Sequence, residues 1–139
     1  MGDLTMGTDT PPLRRILVVD DSSVARKIVV RCLRGLGYDE VEFDEAEHGQ
    51  AALDLLRERE PDLIVTDLNM PVMDGVSMLR RIKASPRLQH IPVIVVSSVL
   101  NEARKRELVE RGVDLLVEKP VSPPDLAAAI ERIEKWETR

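Results

Sequence analysis

The sequence predicts an α/β fold in which helices cover both faces of a parallel sheet, and three observations support this prediction. Short apolar runs alternate with segments of helical period, and this alternation repeats five times from residue 15 onward. Four of the five runs lack polar alternation, which is typical of strands buried on both faces. The chain has 139 residues, 43% of them apolar, which is enough for one hydrophobic core. Strands joined by helices pair in parallel through right-handed crossovers, so we expect one open sheet.

The apolar runs predict the strands in chain order, at residues 16–19, 41–43, 63–65, 93–96 and 115–117. The second run is the most polar, and we expect it to form an edge of the sheet. The other four are predicted to be covered by helices on both faces.

The first helix is predicted to begin after Ser22 or Ser23 as its N-cap and to end at Gly35 or Gly37. Its apolar residues recur at helical spacing, at Ala25, Ile28, Val29, Cys32, Leu33 and Leu36. Because Cys32 is the one cysteine of the chain, it cannot form an intrachain disulfide, and we expect it in the core.

Two later helices also have recognisable starts. Asp74 and Gly75 predict a turn that opens the third helix. Ser122 precedes two prolines and an aspartate, a pattern typical of an N-cap and first turn, and predicts the start of the last helix. The apolar side of that helix consists of Leu126, Ala129, Ile130 and Ile133.

Composition excludes several kinds of site and partner. Twenty Lys and Arg against 25 Asp and Glu give a net charge of -5, and aromatic residues are 2% of the chain, so no nucleic-acid surface is expected. Strand-length apolar runs, a single cysteine and no signal peptide predict a cytoplasmic chain without a membrane span. Residues 1–13 lack periodicity and are interpreted as a flexible leader before a folded domain at 14–139. His48, interpreted as exposed, and His90 have no partner at metal-ligand spacing and are predicted to be inert.

Polar residues follow four of the five apolar runs, where a parallel α/β sheet binds its ligands. These residues are Asp20 and Asp21, Asp67, Ser97 and Ser98, and Lys119. Because strands of one parallel sheet end at the same edge, we expect the side chains to lie close together. Polar residues placed at random would seldom follow four strands of one sheet at the same edge.

The expected carboxylate group predicts a metal site. Three crowded carboxylates repel one another, so at neutral pH they either retain a proton or bind a cation, and all-oxygen ligands favour Mg²⁺. Lys119 would then bind a phosphate from the opposite side. Asp67 stands alone on the middle strand, and with a phosphoryl group held there it could act as a nucleophile and form an acyl phosphate.

These residues resemble the receiver domains of bacterial two-component response regulators, most closely the CheY-like single-domain type. The resemblance covers residues 15–135 and depends on the segments 18–23, 67–75 and 92–97 and on Lys119-Pro120. It implies a five-stranded parallel sheet in the order 2-1-3-4-5, flanked by five helices. This strand order is taken from the family and does not follow from the periodicity.

The resemblance also implies a role for each site residue. Asp67 matches the phosphoacceptor and a metal ligand, and Asp21 matches the direct Mg²⁺ ligand. Asp20 would act on the metal through ordered water, and Asn69 through its main-chain carbonyl.

Two more residues would contact the phosphoryl group itself. Ser97 matches the residue whose hydroxyl meets a phosphoryl oxygen, and Lys119 matches the lysine that pairs with it. The Lys119-Pro120 peptide bond is cis in the family.

One position departs from the family pattern. An aromatic residue usually stands three places before the lysine and turns inward on phosphorylation, but here the residue is Leu116. We hypothesise that output depends more on a shift of the loop that carries Ser97, Ser98 and Val99, and of the helix after it.

The predicted function is phosphoacceptor signalling. Asp67 would accept a phosphoryl group from a sensor histidine kinase with Mg²⁺ and then change conformation to bind a partner protein or relay the phosphate. The partner would dock on the face formed by the fourth helix, the fifth strand and the last helix. The chain would catalyse only its own phosphorylation and dephosphorylation.

Two alternatives remain open. One is a binding module that is never phosphorylated and holds its shape by packing. The other is a Mg²⁺-dependent phosphatase of the haloacid dehalogenase type, which normally needs a second acid where this chain has Asn69.

Overall fold

A five-stranded parallel sheet forms the centre of the computed structural model, which describes residues 13–98 and 101–137. The strands are β1 (Arg15–Val19), β2 (Glu42–Ala46), β3 (Leu63–Thr66), β4 (Val93–Ser97) and β5 (Leu115–Glu118). The helices are α1 (Ser23–Gly35), α2 (Gly49–Glu58), α3 (Gly75–Ala84), α4 (Glu102–Glu110) and α5 (Pro123–Glu137). The strand order is β2-β1-β3-β4-β5 and every pair is parallel, which confirms the expected fold. The predicted leader, except for Leu13, and Val99 lie outside the described residues.

Helices cover the two faces of the sheet and form two cores. Leu17 and Ile64 point toward α2, α3 and α4, whereas Val18 and Val65 point toward α1 and α5. All four side chains are at most 1% exposed, as predicted for strands without polar alternation.

The two edge strands differ from their predictions. Strand β2 was predicted at 41–43, but it pairs with β1 from Glu42 to Ala46. Backbone pairing at an edge does not require apolar side chains, so hydrophobicity underestimated its length. Strand β5 forms the other edge, and Leu115 and Leu116 are only half-buried rather than fully covered. The prediction of complete burial is wrong there because the neighbouring α4 contributes one buried residue, Leu108.

The helix starts follow the predicted capping residues. Ser22 caps α1, and its Oγ accepts a hydrogen bond from the Ala25 amide at 3.1 Å. Ser122 Oγ accepts from the Asp125 amide at 3.3 Å at the start of α5. The four predicted apolar residues of α5 are all buried, at Leu126, Ala129, Ile130 and Ile133.

Three residues are placed differently from their predictions. Cys32 is half-buried at the border of the core rather than inside it, and Ile28 is 46% exposed, because α1 faces the sheet along Val29 and Leu33. His48 is half-buried and caps α2, where its Nδ1 accepts a hydrogen bond from the Ala51 amide at 3.0 Å. Among the described residues, no helix combines the length and apolar character needed to cross a bilayer.

Candidate functional site

Three aspartates and a lysine meet at the carboxyl edge of the sheet. Asp20 and Asp21 follow β1, Asp67 follows β3 and Lys119 follows β5. The three aspartates each offer a carboxylate oxygen, and these oxygens lie within 4.8 Å of one another. Lys119 Nζ lies 3.3 Å from Asp20 Oδ2 and 3.3 Å from Asp67 Oδ2. The structure thus brings together the four charged residues that the sequence singles out.

Asp67 is held by contacts to both of its carboxylate oxygens. Oδ1 accepts a hydrogen bond from the Leu68 amide at 2.7 Å, and Oδ2 faces Lys119. The Asp67 amide donates to the Val19 carbonyl at 2.9 Å, which ties the end of β3 to β1. The side chain is 11% exposed, so it is accessible from one side and fixed on the others.

Asp20 is the most buried carboxylate of the group, with 6% of the residue exposed. Its Oδ1 accepts from the Ser22 amide at 2.9 Å, and its own amide donates to the Ala46 carbonyl at 3.0 Å. Together with the Lys119 contact, these bonds compensate the cost of burying a carboxylate.

Arg26 of α1 also holds Asp20, and the sequence pattern did not indicate it. Its Nη1 donates to the Asp20 carbonyl at 2.6 Å, and its Nε donates to Glu45 Oε1 on β2 at 2.8 Å. The two hydrogen bonds of the guanidinium group therefore join α1, the loop after β1 and the edge strand β2. Only the register of β1 against β2 places Glu45 within reach of Arg26, and a helical repeat carries no information on that register.

Lys119 combines two charge contacts with a main-chain link. Its amide donates to the Ser97 carbonyl at 3.0 Å, and its peptide bond to Pro120 is cis, as the resemblance implies. Burial alone would lower the pKa of Lys119, but the adjacent Asp67 and Asp20 carboxylates outweigh it and raise the pKa above its ordinary value. The ammonium group is therefore charged at neutral pH.

Ser97 and Asn69 lie on another side of the site. Ser97 ends β4 and is 2% exposed, whereas Asn69 is exposed in the loop after β3. Both line a cavity of about 310 Å³ that extends from Leu68 to Asn101 and Arg104 at the start of α4. The cavity therefore lies between the loop after β3, the end of β4 and the start of α4.

Gly75 approaches Asp67 closely, which the sequence pattern also did not indicate. It was predicted only to open α3, and it does so directly after the N-cap Asp74. A Cβ atom at Gly75 would lie 2.4 Å from the Asp67 carbonyl oxygen, and the Gly75 amide donates to the Leu68 carbonyl at 2.8 Å. The start of α3 therefore needs a glycine in order to pack against Asp67.

Asp74 holds that helix start in place. Its Oδ1 accepts from the Ser77 amide at 2.8 Å, and this hydrogen bond holds the pKa of Asp74 below its ordinary value. The capping carboxylate is thus ionised at neutral pH, and it fixes the turn that carries Gly75.

The donor set is suited to a metal ion. Asp20, Asp21 and Asp67 provide only oxygen ligands, and Asp21 is exposed at the mouth of the site. Carboxylate oxygens that converge in this way suit a hard divalent cation, which would also relieve their mutual repulsion.

Comparison with known proteins places the chain in a family. The family model described as response regulator receiver domain matches residues 16–131. Chemotaxis protein CheY-3 of Vibrio cholerae is 36% identical over 122 residues, which cover 86% of this chain and 90% of that protein. Chemotaxis protein CheY of Pseudomonas aeruginosa is 39% identical over 119 residues, which cover 86% of this chain and 94% of that protein.

Solved structures agree with this assignment. The signal receiver domain of a signal transduction histidine kinase from Syntrophus aciditrophicus has a TM-score of 0.78 at 29% identity, and the match covers 91% of this chain and 93% of that one. The chemotaxis response regulator CheY4 of Vibrio cholerae has a TM-score of 0.78 at 26% identity, with 88% and 99% covered. The chain therefore belongs to the response regulator receiver domain family.

Proposed function

We propose that Asp67 accepts a phosphoryl group from a phosphohistidine of a sensor histidine kinase, and that the acyl phosphate changes the conformation presented to a partner protein. One observation carries this proposal. Lys119 Nζ lies 3.3 Å from oxygens of both Asp67 and Asp20, so one charged amine stands beside the acceptor and beside the carboxylates that would hold a metal. A phosphoryl dianion on Asp67 would replace these carboxylates as the partner of the amine.

Mg²⁺ is the proposed cofactor. Asp20, Asp21 and Asp67 would hold it, with the Asn69 main-chain carbonyl as a further ligand. When bound, the ion neutralises phosphoryl oxygens and leaves room for them among its water ligands. This assignment is supported by the all-oxygen donor set and by the family.

The transfer needs little chemistry beyond positioning. A carboxylate oxygen of Asp67 forms a bond to phosphorus while the bond from phosphorus to the histidine nitrogen breaks. The electron pair leaves with the imidazole, which then takes a proton from water. Lys119 would pair with one phosphoryl oxygen, and the Ser97 hydroxyl would donate to another.

The output surface is proposed to be the face formed by α4, β5 and α5. A cavity of about 340 Å³ on this face is lined by the half-buried Leu115 and Leu116 and by Ala128 and Ala129 of α5. Such a partly apolar surface suits a protein partner. A cytoplasmic location, no direct binding of nucleic acid or membrane, and no catalysis on other substrates remain part of this proposal.

Incubation with acetyl phosphate and MgCl₂, followed by intact-mass measurement, tests the proposed function. We expect the wild type to gain the mass of one phosphoryl group, and we expect no gain for Asp67→Asn or for the wild type with EDTA. An unphosphorylated binding module would show no gain in any sample. A phosphatase would instead release inorganic phosphate from small phosphoesters with turnover, but Asn69 stands where that class normally has its second acid.

A further inference from the structure

An apolar cavity of about 540 Å³ opens beside the acceptor, between α1 and the sheet. Its floor consists of Val18, Val65 and Val96, each at most 3% exposed, at the ends of the three central strands. Helix α1 and the segment after β5 provide the rest of the apolar wall, with Ala25, Ile28, Val29, Pro120 and Val121. The polar end of the cavity is the functional site itself, with Asp20, Asp67 and Lys119.

The proposed phosphoryl transfer uses only the polar end of this cavity. Cavities of this volume, with apolar walls and a few polar groups at one end, are typical of sites for small organic molecules. An apolar group that enters such a space leaves water and makes dispersion contacts with the apolar walls, so its burial is favourable. The molecule that fits must therefore present a phosphoryl group to Lys119 and an apolar group to the accessible wall at Ile28 and Val121.

We propose that this cavity binds the acyl group of small acyl phosphates, so that the chain takes its phosphoryl group from donors with a short alkyl chain, such as butyryl phosphate, in preference to acetyl phosphate. This inference depends on the proposed function of Asp67. In the reaction, an oxygen of Asp67 bonds to phosphorus as the bond from phosphorus to the bridging oxygen of the donor breaks. The electron pair leaves with butyrate, so no proton transfer or redox partner is needed.

Rates of phosphorylation with butyryl and acetyl phosphate, measured by intact mass at equal donor and Mg²⁺ concentrations, test this preference. The two leaving groups are saturated carboxylates of similar basicity, so the chemical reactivity of the donors is matched. We expect the wild type to react faster with butyryl phosphate, by up to about tenfold for two buried methylenes. Equal rates in the wild type would overturn the inference.

Two variants that fill the cavity and one control make the test specific. Ala25→Leu fills the cavity from α1 and Val121→Phe fills it from the segment after β5, and both are expected to lose the butyryl preference. Val24→Leu is the control, because Val24 is 64% exposed and does not line the cavity, and it should keep the wild-type ratio. A preference that persisted in both filling variants would contradict the proposed site. Circular dichroism verifies that each variant is folded.

Binding can also be measured without transfer, using 2-oxopentylphosphonate, in which a methylene replaces the bridging oxygen of butyryl phosphate. We expect it to shift the methyl NMR signals of Ile28 and Val121 in the presence of Mg²⁺, whereas 2-oxopropylphosphonate, the acetyl counterpart, shifts them less. Equal shifts count against the cavity. If acetyl phosphate itself fails to label Asp67, the proposed function fails, and the phosphonate titration still decides whether the cavity binds an alkyl chain.

Discussion

Helices α1 and α4 both follow strands that carry site residues, but they are attached to the sheet in different ways. Helix α1 buries Val29 and Leu33, and its Arg26 bonds to the Asp20 carbonyl and to Glu45. Helix α4 buries only Leu108. Its cations instead contact carboxylates of the same helix. Arg104 and the C-cap residue Arg111 lie beside Glu107, and Lys105 Nζ lies 3.8 Å from Glu102 Oε1. One contact reaches the sheet, from Lys105 Nζ to Glu118 Oε1 of β5 at 3.9 Å.

This difference divides the surroundings of the site into a fixed side, formed by α1 and the loop after β1, and a mobile side, formed by α4. Pairs between exposed charges on one helix contribute little to its attachment, because they persist wherever the helix lies. We therefore expect a change of charge at Asp67 to shift α4 at a smaller cost in free energy than α1. Because Leu116 provides no aromatic ring to turn inward, we expect this shift to carry more of the response.

The largest expected effect comes from truncating the buried leucine of each helix. Leu33→Ala in α1 should lower the free energy of unfolding by about 4 kcal/mol, because Leu33 is fully buried between α1 and the sheet. Leu108→Ala in α4 should lower it by about 2 kcal/mol, at the low end of the range for such truncations, because α4 can open locally. Urea denaturation measures both values.

Hydrogen exchange on the same proteins identifies where the opening occurs. In the wild type, amides of α4 should exchange faster than those of α1, and Leu108→Ala should accelerate exchange mainly within α4. Leu33→Ala should instead accelerate exchange throughout the domain. Equal protection of α1 and α4 in the wild type would contradict the division into a fixed and a mobile side.

Gly75→Ala is expected to disturb the packing of α3 against Asp67 directly. Since the new Cβ atom would lie 2.4 Å from the Asp67 carbonyl oxygen, either α3 or Asp67 must move. We expect a loss of about 2 kcal/mol in stability, typical of overpacking, together with slower phosphorylation by acetyl phosphate. Gly35→Ala is the matched control, because a Cβ at Gly35 has open space around it, and it should leave the phosphorylation rate unchanged.

The strands and the charged residues of the site could be predicted from sequence because each leaves a local signal. The buried strand β3 contains the unbroken apolar run 63–65, and Asp67 and Lys119 each stand two residues after the end of a run. The bounds of β2 could not be predicted, since pairing with β1 and not hydrophobicity defines that edge strand.

Contacts between distant segments left no such signal. The bond from Arg26 to Glu45 depends on strand register, and the approach of Gly75 to Asp67 depends on how α3 returns over the sheet. The apolar cavity is likewise a result of how far α1 stands from the strands beneath it. Apolar periodicity shows which face of an element is buried, but it does not give the distance between two elements.

Arg26→Lys should weaken the attachment of α1 to the loop after β1 and to β2, while keeping the positive charge at position 26. A lysine ammonium cannot match the two-sided contact to the Asp20 carbonyl and Glu45, so the loop after β1 should become less ordered. We expect about fivefold weaker Mg²⁺ binding by isothermal titration calorimetry, equivalent to the loss of roughly one hydrogen bond. Arg31→Lys is the control, because Arg31 is exposed on the same helix and forms no ion pair with a described residue. Similar affinities for the two variants would show that Arg26 does not position the carboxylates that are proposed to hold Mg²⁺.

The smallest effect is expected on stability at alkaline pH, and it comes from Lys119, which follows β5. The Asp67 and Asp20 carboxylates outweigh burial and raise the pKa of Lys119 above its ordinary value of 10.5. A raised pKa in the folded state means that the stabilising contribution is fully present below pH 10.5 and is lost as the pH rises through the folded pKa. Urea denaturation of the wild type and Lys119→Met should therefore show a stability difference that is constant near neutral pH and decreases only above 10.5. A difference that decreased already between neutrality and that pH would mean that the two carboxylates do not stabilise the ammonium form.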